Sequence, residues 1–137
     1  MSVKVFLDTN VLVYAVDTTR GAAHNRQIAR KIVRDGNFGL SAQVLQEFFV
    51  TVTRKIKRPL SKTSALRVVS ELSRHDVVPV DASLVCLGIA HSLRYQISYW
   101  DGAIIAAAEA LGAKTVFSED LSHGQKYGDV EVLNPFL

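Results

Sequence analysis

Four acidic side chains occupy positions from which carboxylates could do chemistry together: Asp8, Glu47, Asp101 and Asp120. Four carboxylates held close together in a partly dry cleft repel one another, so they need a cation to stay ionised. Hard divalent cations take oxygen ligands, and an all-carboxylate site that keeps several waters suits Mg²⁺ and Mn²⁺. If the fold brings the four acids together, a cation bound there would activate a water and neutralise charge on a phosphoryl group.

Two of these acids follow predicted strands. Asp8 comes directly after the apolar run of residues 3–7, and Asp120 follows the strand predicted over Thr115–Phe117. Ligands of an open parallel sheet bind beyond the carboxyl ends of its strands, so both acids lie where a site is expected. Taken singly, each acid is more often a helix cap or a turn residue.

The other two acids lie on predicted helices. Asp101 begins a helix that runs to Leu111, and at about 100° per residue it shares a face with apolar residues of that helix. Capping is the more common role for such an acid, although Tyr99 and Trp100 set bulky aromatic rings beside it. Glu47 lies beside the apolar stripe of its helix. The spacing of the apolar residues is equally compatible with a solvent-exposed Glu47 and with a Glu47 that belongs to a site.

The predicted elements alternate along the chain. Short apolar runs predict strands over residues 3–7, 38–40, 77–80, 115–117 and 130–133, the third of them at a sheet edge because of Pro79. Helical spacing predicts helices over residues 10–15, 22–33, 41–56, 61–73, 81–94 and 101–111. This alternation predicts an α/β fold, in which helices cover both faces of a central parallel sheet, and we expect one domain over residues 1–137.

Charge is distributed unevenly along the chain. Residues 1–70 carry twelve Lys or Arg against four Asp or Glu, whereas residues 71–137 carry four against nine. A basic half is typical of a protein that binds a polyanion, although solvated helix faces also carry Lys and Arg. Arg54, Lys55, Lys57 and Arg58 form a basic cluster late in the Glu47 helix, where they could contact phosphates or complement the helix dipole.

Composition excludes several other classes of protein. No stretch approaches the roughly 18 apolar residues of a membrane-spanning helix, and the first apolar run is too short for a secretory signal, so we expect a cytoplasmic protein. Cys86 is the single cysteine, which excludes an intramolecular disulfide framework and a cysteine-based zinc cluster. Its apolar neighbours predict a buried, inert thiol.

Four segments, in order, resemble the motifs of PIN domains. They are Val5-Phe6-Leu7-Asp8-Thr9-Asn10-Val11, Ser41-Ala42-Gln43-Val44-Leu45-Gln46-Glu47-Phe48, Tyr99-Trp100-Asp101-Gly102-Ala103-Ile104-Ile105 and Phe117-Ser118-Glu119-Asp120-Leu121. The likeness continues through His123-Gly124-Gln125 and Asn134-Pro135-Phe136, so that it covers nearly the whole chain. Each motif alone is weak, but four in the right order and spacing are specific.

The resemblance implies a three-layer α/β/α sandwich with a parallel sheet and an Mg²⁺- or Mn²⁺-dependent ribonuclease site. It assigns catalysis and metal binding to the four acids Asp8, Glu47, Asp101 and Asp120, with Asp120 rather than Glu119 as the ligand in the last motif. Asn10 and Ser118 match the family's polar supporting positions. Small members like this one resemble toxins of the VapBC type, which implies an RNA substrate, a cognate antitoxin that occupies the site, and a homodimer.

Two other classes of function remain open at this point. An aspartyl-nucleophile phosphotransferase would carry a second acid two residues after the first, but Asn10 stands there. A catalytically silent RNA-binding or assembly module on the same fold would not need four acids. A covalent acyl-phosphate would favour the phosphotransferase, and RNA binding without metal-dependent cleavage would favour the silent module.

Overall fold

A six-stranded sheet lies at the centre of the fold, in the order β3-β2-β1-β4-β6-β5. The computed structural model describes residues 5–137, so residues 3 and 4 of the first predicted strand lie outside it. The strands are β1 Val5–Leu7, β2 Phe38–Ser41, β3 Asp76–Val78, β4 Thr115–Phe117, β5 Lys126–Tyr127 and β6 Val130–Leu133. All pairings are parallel except that of β5 with β6.

Six helices connect these strands and cover the sheet. They are α1 Thr9–Val16, α2 Ala23–Asp35, α3 Ala42–Arg54, α4 Lys62–Leu72, α5 Ala82–Tyr95 and α6 Tyr99–Ala110. Helices α1 to α4 pack against one another, while α5 packs on α6, which contacts β2, β4 and β6. The two groups of helices form the outer layers, so the predicted α/β/α sandwich is confirmed. Among the described residues, the helices are all too short or too polar to cross a bilayer.

The helix ends follow local signals in the sequence. Ser41 caps α3 by accepting a hydrogen bond from the Val44 amide at 3.2 Å, a common role of serine at the start of a helix. Gly36 ends α2 in the left-handed conformation at φ 73°, which costs glycine no steric strain. The prediction failed at β5, a two-residue antiparallel strand whose length leaves no detectable alternation in the sequence.

The order of the strands creates a switch point between β1 and β4. From β1 the chain proceeds to β2 and β3 on one side, whereas β4 is followed by β6 on the other side of β1. Connections that leave in opposite directions open a crevice at the carboxyl ends of the two central strands. Asp8 and Ser118, which directly follow β1 and β4, therefore lie at this crevice.

Helices α5 and α6 approach so closely that two glycines are required. A Cβ built on Gly102 would lie 2.4 Å from the carbonyl oxygen of Gly88 and 3.0 Å from the amide nitrogen of Ser92. Both are backbone atoms that cannot rotate away. The contact fixes the first turn of α6, which carries Asp101.

Cys86 corrects a prediction made from its neighbours. The cysteine lies on the outward face of α5 and is exposed. Leu87 beside it is also 48% exposed, so these two apolar neighbours are not buried in the core. On a helix that is buried along one side only, consecutive apolar residues cannot all reach the core.

Candidate active site

Asp8 is held at the end of β1 by its neighbours in the sheet. Its amide donates to the Phe117 carbonyl at 3.0 Å, which aligns the end of β1 with the end of β4. One carboxylate oxygen accepts from the Thr9 amide at 2.8 Å, and the other accepts from the Ser118 hydroxyl at 2.7 Å. With 6% of its surface exposed, Asp8 is nearly removed from solvent.

Burial sets the protonation of Asp8. Loss of solvent raises the pKa of this carboxyl to about 6. The hydrogen bonds from Ser118 and Thr9 act in the opposite direction, because they favour the ionised form, and the charges of Asp120 and Glu47 raise the pKa further. Asp8 is therefore an acid that a nearby cation would ionise more completely near neutral pH.

Asp120 lies on a turn that winds around Ser118. The Ser118 hydroxyl accepts hydrogen bonds from the amides of Asp120 at 3.1 Å and Leu121 at 3.4 Å. Asn10 donates through Nδ2 to the Asp120 carboxylate at 3.1 Å and accepts through Oδ1 from the Glu119 amide at 3.3 Å. Ser118, directly after β4, thus contacts both Asp8 and Asp120, while Asn10 of α1 contacts Asp120.

Glu119 has a different partner from Asp120. The Tyr14 hydroxyl donates to the Glu119 carboxylate at 2.8 Å, and the Tyr14 ring packs edge-on against Phe136 with centroids 4.8 Å apart. Consecutive residues of the turn therefore bind different side chains of α1: Asp120 binds Asn10, and Glu119 binds Tyr14.

Glu47 is not a solvated flank residue. It is half-buried, and one carboxylate oxygen accepts from the Thr9 hydroxyl at 3.0 Å. The other accepts from the Gln43 amide at 2.8 Å, one helical turn earlier on α3. The buried Gln43 side chain also lies 3.5 Å from the Trp100 carbonyl, so it connects Glu47 with the start of α6.

Asp101 does not cap its helix. Helix α6 begins two residues earlier than predicted, and Ser98 is the cap, with its hydroxyl accepting from the Asp101 amide at 3.1 Å. Burial raises the pKa of Asp101, and the charges of Asp120 and Glu47 raise it further. Asp101 therefore shares the electrostatic environment of the other acids.

The four acids form one electrostatic group without a basic partner. Within residues 5–137, ion pairs join Arg74 to Glu71 and His91 to Glu109, and neither pair involves the four acids. Neutral donors hold the acids instead, chiefly Thr9, Gln43, Asn10 and Ser118. The group thus carries negative charge that no side chain of the described part of the chain offsets by direct pairing.

This donor set suits a hard divalent cation in its chemistry. Carboxylate oxygens are the ligands that Mg²⁺ and Mn²⁺ prefer. Burial raises the pKa values of Asp8 and Asp101, and the charges of Asp120 and Glu47 raise them further, a charge that a cation would relieve. In the arrangement described for residues 5–137, no three His, Cys, Asp or Glu side chains lie close enough together to hold one ion. Binding a cation through three or four of these carboxylates would therefore require the acids to draw together, whereas one or two carboxylates with waters would not.

Two adjoining cavities open at the site. The first has a volume of 360 Å³, and its lining includes Asn10, Tyr14, Glu47 and Asp120. The second has a volume of 520 Å³ and is lined by Gln43, Gln46, Glu47, Val50, Thr51, Lys55 and Trp100. Glu47 and Thr51 line both, so the two cavities are neighbours on either side of these residues. Of the predicted basic cluster, Lys55 lines this space, while Arg54, Lys57 and Arg58 are exposed near the end of α3.

Sequence reasoning missed the side chains that orient the acids. Thr9 and Gln43 hold Glu47, and Gly102 sets the approach of α6 to α5. The spacing of Gln43 and Glu47, four residues apart on one helix, is a signal that could have identified their contact. Nothing local in the sequence indicates that Thr9 would reach α3.

Solved structures with the same fold include several toxin–antitoxin proteins. A toxin–antitoxin complex from Klebsiella pneumoniae superposes with a TM-score of 0.69 at 15% identity, covering 96% of this chain and 98% of that chain. VapC20 of Mycobacterium tuberculosis, described as a Sarcin-Ricin loop cleaving toxin, superposes with a TM-score of 0.66 at 16% identity, covering 85% and 92%. DNA-bound VapBC from Salmonella typhimurium gives a TM-score of 0.63 at 20% identity, covering 95% and 96%.

Similarity at these identities establishes the fold. Among curated proteins, none has a sequence that matches this chain significantly. The family model of the PIN domain matches residues 5–127, which span β1 to β5 and contain all four acids. The chain belongs to the PIN domain family.

Proposed function

We propose that this protein is a metal-dependent endoribonuclease. The observation that carries the proposal is the group of four acids at the β1/β4 switch point, which pair with no basic side chain of the described residues. Burial and the charges of Glu47 and Asp120 raise the pKa values of two of them, Asp8 and Asp101. Negative charge gathered in this way opposes folding, so its retention at a crevice is typical of a functional site. Membership of the PIN domain family supports the same reading.

Asp8, Glu47, Asp101 and Asp120 would hold the cation, Mg²⁺ or Mn²⁺. When bound, such an ion supplies Lewis acidity, which lowers the pKa of a water and neutralises charge on a phosphodiester. Ser118 and Asn10 would orient Asp8 and Asp120, and Thr9 and Gln43 would orient Glu47, through the hydrogen bonds described above. These neutral donors fix the carboxylates without competing with a cation for their charge.

RNA is the substrate we propose, and a polyanion fits the charge of the chain. Residues 1–70 carry a balance of +8, which favours binding to phosphates. Lys55 borders the cavity beside Glu47, within reach of a strand that enters the crevice. VapC20, which shares the fold, is described as a Sarcin-Ricin loop cleaving toxin, and this supports RNA as the substrate.

A cleavage assay tests this proposal directly. Purified protein should cut single-stranded RNA with Mg²⁺ or Mn²⁺ and should stop when a chelator is added. Asp8→Asn should slow the chemical step at least about a hundredfold, a typical effect of losing electrostatic stabilisation in an active site. Asp76→Asn, on the exposed edge strand β3, is the matched control and should leave the rate unchanged. Full activity of Asp8→Asn at saturating metal would contradict the assignment, and RNA binding without cleavage would favour the silent module.

We further propose that the protein is the toxin of a type II toxin–antitoxin pair. Two of the solved structures with this fold are described as a toxin–antitoxin complex and as VapBC bound to DNA. An apolar groove of 280 Å³ between α1, α2, α3 and α4 offers a place for an apolar segment of the antitoxin. Arg30 and Arg34 also line this groove, so a segment with flanking acidic residues would complement it.

Expression in a bacterial host tests the toxin assignment. Expression alone should arrest growth, and co-expression of the product of the adjacent gene should relieve the arrest. Val68→Glu, which places a charge in the apolar groove away from the acids, should prevent relief while RNA cleavage persists. Harmless expression of active protein in the native host would remove the toxin label and leave the nuclease intact.

The homodimer implied by the resemblance stays a prediction. Leu87, Ile89 and Leu93 are apolar side chains of α5 that are 46% to 75% exposed, which is unusual for the surface of a monomer. Sedimentation velocity of the purified protein measures the oligomeric state, and Leu93→Glu should shift a dimer towards the monomer.

A further inference from the structure

Trp100 is a large aromatic side chain left in solvent beside the acid group. Its indole is 62% exposed, although it directly precedes Asp101 and is the only tryptophan in the chain. Exposure of a tryptophan loses the stabilisation that burial of its apolar area would give. An exposed aromatic next to a polar crevice is therefore a candidate binding surface.

The position of Trp100 is fixed by its surroundings. It lies in the first turn of α6, which Ser98 caps, and its carbonyl is 3.5 Å from the Gln43 amide. The Tyr99 ring packs edge-on against the indole with centroids 5.0 Å apart. Tyr99 in turn lies against Gly88, where a Cβ would come within 3.0 Å of its ring. The indole is thus presented from a rigid base and not from a flexible loop.

The cavity beside Trp100 has the size and lining of a small-molecule subsite. Its 520 Å³ lies within the roughly 300–1,000 Å³ that such sites occupy in proteins. Val50, which is 42% exposed, provides an apolar wall, and the amide of the exposed Gln46 offers both a donor and an acceptor. Lys55 provides a cation at the rim.

This cavity neighbours the one that Glu47 and Asp120 line. Glu47 and Thr51 line both spaces, so a ligand group lying against Trp100 would be a neighbour of a group lying among the acids. A nucleic acid has this arrangement of chemistry, because a planar base is joined through a sugar to the next phosphate. The alternative partner, an apolar protein surface, would not need a cation and an amide beside the indole.

We propose that Trp100 is a stacking platform for an unpaired nucleobase of the RNA substrate. The proposal rests on the proposed function and deepens it, because it assigns a side chain that would contact a base of the RNA. A base inside a duplex has both faces covered by its neighbours and cannot stack on a side chain, whereas a base in a loop or a single strand can. The Gln46 amide lies where it could contact the base edge, and Lys55 where it could contact the adjoining phosphate.

Tryptophan fluorescence tests the proposal, because the only indole in the chain is the one in question. The protein used is Asp8→Asn, so that RNA is bound without being cut. A short single-stranded oligoribonucleotide of mixed sequence should quench the fluorescence. The same strand annealed to its complement should quench it much less, and heparin, a polyanion without bases, should not quench it.

Anisotropy of a labelled oligoribonucleotide measures affinity independently of the indole. In the same Asp8→Asn protein, Trp100→Ala should weaken binding about five- to a hundredfold, the range expected for one lost base–aromatic stack. Trp100→Phe should retain most of the affinity because it keeps an aromatic face. Leu66→Ala removes another exposed apolar side chain, 60% exposed on α4, and should have no effect.

The outcomes separate this proposal from the proposed function. RNA binding without quenching, or unchanged affinity in Trp100→Ala, would overturn the stacking platform even if the protein cleaves RNA. Loss of self-association in Trp100→Ala with RNA affinity intact would also overturn it and make Trp100 a protein contact. Quenching and weakened binding in a protein that never cleaves RNA would uphold the platform and overturn the nuclease. Absence of all RNA binding would overturn both.

Discussion

The Ser118 hydroxyl donates a hydrogen bond of 2.7 Å to the Asp8 carboxylate across the ends of β4 and β1. Both side chains are buried, and the same hydroxyl oxygen accepts from the amides of Asp120 and Leu121. One side chain thus stabilises the charge of Asp8 and shapes the turn that carries Asp120.

Replacement of Ser118 by alanine should move the pH dependence of RNA cleavage. The Ser118 hydrogen bond lowers the pKa of Asp8, so its loss should raise that pKa further above about 6. The acidic limb of the pH–rate profile should then shift to higher pH, with a lower rate at neutral pH. Ser122→Ala, at an exposed position nearby, is the control. If Ser118→Ala lowers the cleavage rate but leaves the acidic limb at the same pH, then Ser118 acts only on the turn that carries Asp120.

The raised pKa of Asp8 also predicts how stability depends on pH. The folded protein binds this proton more tightly than the unfolded chain, because the pKa is about 6 when folded and 3.8 in the reference state. The stabilisation is therefore complete below pH 3.8 and is lost as pH rises through about 6.

Urea denaturation of the wild type and of Asp8→Asn, in chelator across this pH range, measures the contribution. The free energy of unfolding of the wild type should fall relative to the variant by at most about 3 kcal/mol. A difference between the two proteins that does not change with pH would contradict the assignment of this pKa to Asp8.

Gly102→Ala should destabilise the protein more than Gly88→Ala does. The added Cβ at Gly102 would meet backbone atoms, the nearest at 2.4 Å, so α5 and α6 must separate. Overpacking of this kind costs about 1–3 kcal/mol. The Cβ at Gly88 would meet the Tyr99 ring at 3.0 Å and the Ala103 Cα at 3.2 Å, so a smaller displacement relieves these contacts. Thermal denaturation of both variants checks the order, and equal losses would show that α6 can shift freely.

Much of this fold could be predicted because its signals are local. The caps of α3 and α5, at Ser41 and Asp81, and the glycine stop of α2 at Gly36 each depend on a few adjacent residues. The parallel order follows from the alternation of strands and helices. Strand β5 could not be predicted, since two residues that pair with β6 carry no periodicity of their own.

The acids could be chosen from the sequence, but their supports could not all be. Four motifs in order identified the carboxylates, and Asn10 and Ser118 with them. The start of α6 was predicted at Asp101, two residues too late, because both Ser98 and Asp101 are residues that commonly cap helices and only packing decides between them. The contact of Thr9 with Glu47 joins residues far apart in the chain, so it depends on the tertiary fold.

Salt dependence tests where RNA runs on the surface. Affinity for RNA should fall as salt rises, because binding to phosphates releases counterions. Replacement of the exposed residues Arg54, Lys55, Lys57 and Arg58 by alanine should flatten this dependence. The measurement is the slope of log affinity against log salt for the wild type and the variant. An unchanged slope would place the RNA path elsewhere on the basic half of the chain.

Asp101→Asn distinguishes a site acid from a structural one. Burial and the charges of Asp120 and Glu47 raise the pKa of Asp101, so its ionised form costs free energy in the metal-free protein. Removal of the charge with little change of shape should therefore raise the melting temperature near neutral pH in chelator. The gain should vanish as pH falls through the raised pKa, because wild-type Asp101 is then protonated as well.

The same variant should respond less to metal. A cation that binds only the folded protein stabilises it by about 2.7 kcal/mol at a hundred times its dissociation constant. Asp101→Asn should lose most of this gain with Mn²⁺, because one carboxylate ligand is absent. Melting temperatures of both proteins with chelator and with Mn²⁺ give the two effects in one experiment. A variant that is less stable in chelator and keeps the full Mn²⁺ shift would make Asp101 a structural residue of the first turn of α6, since Ser98 already fills the cap.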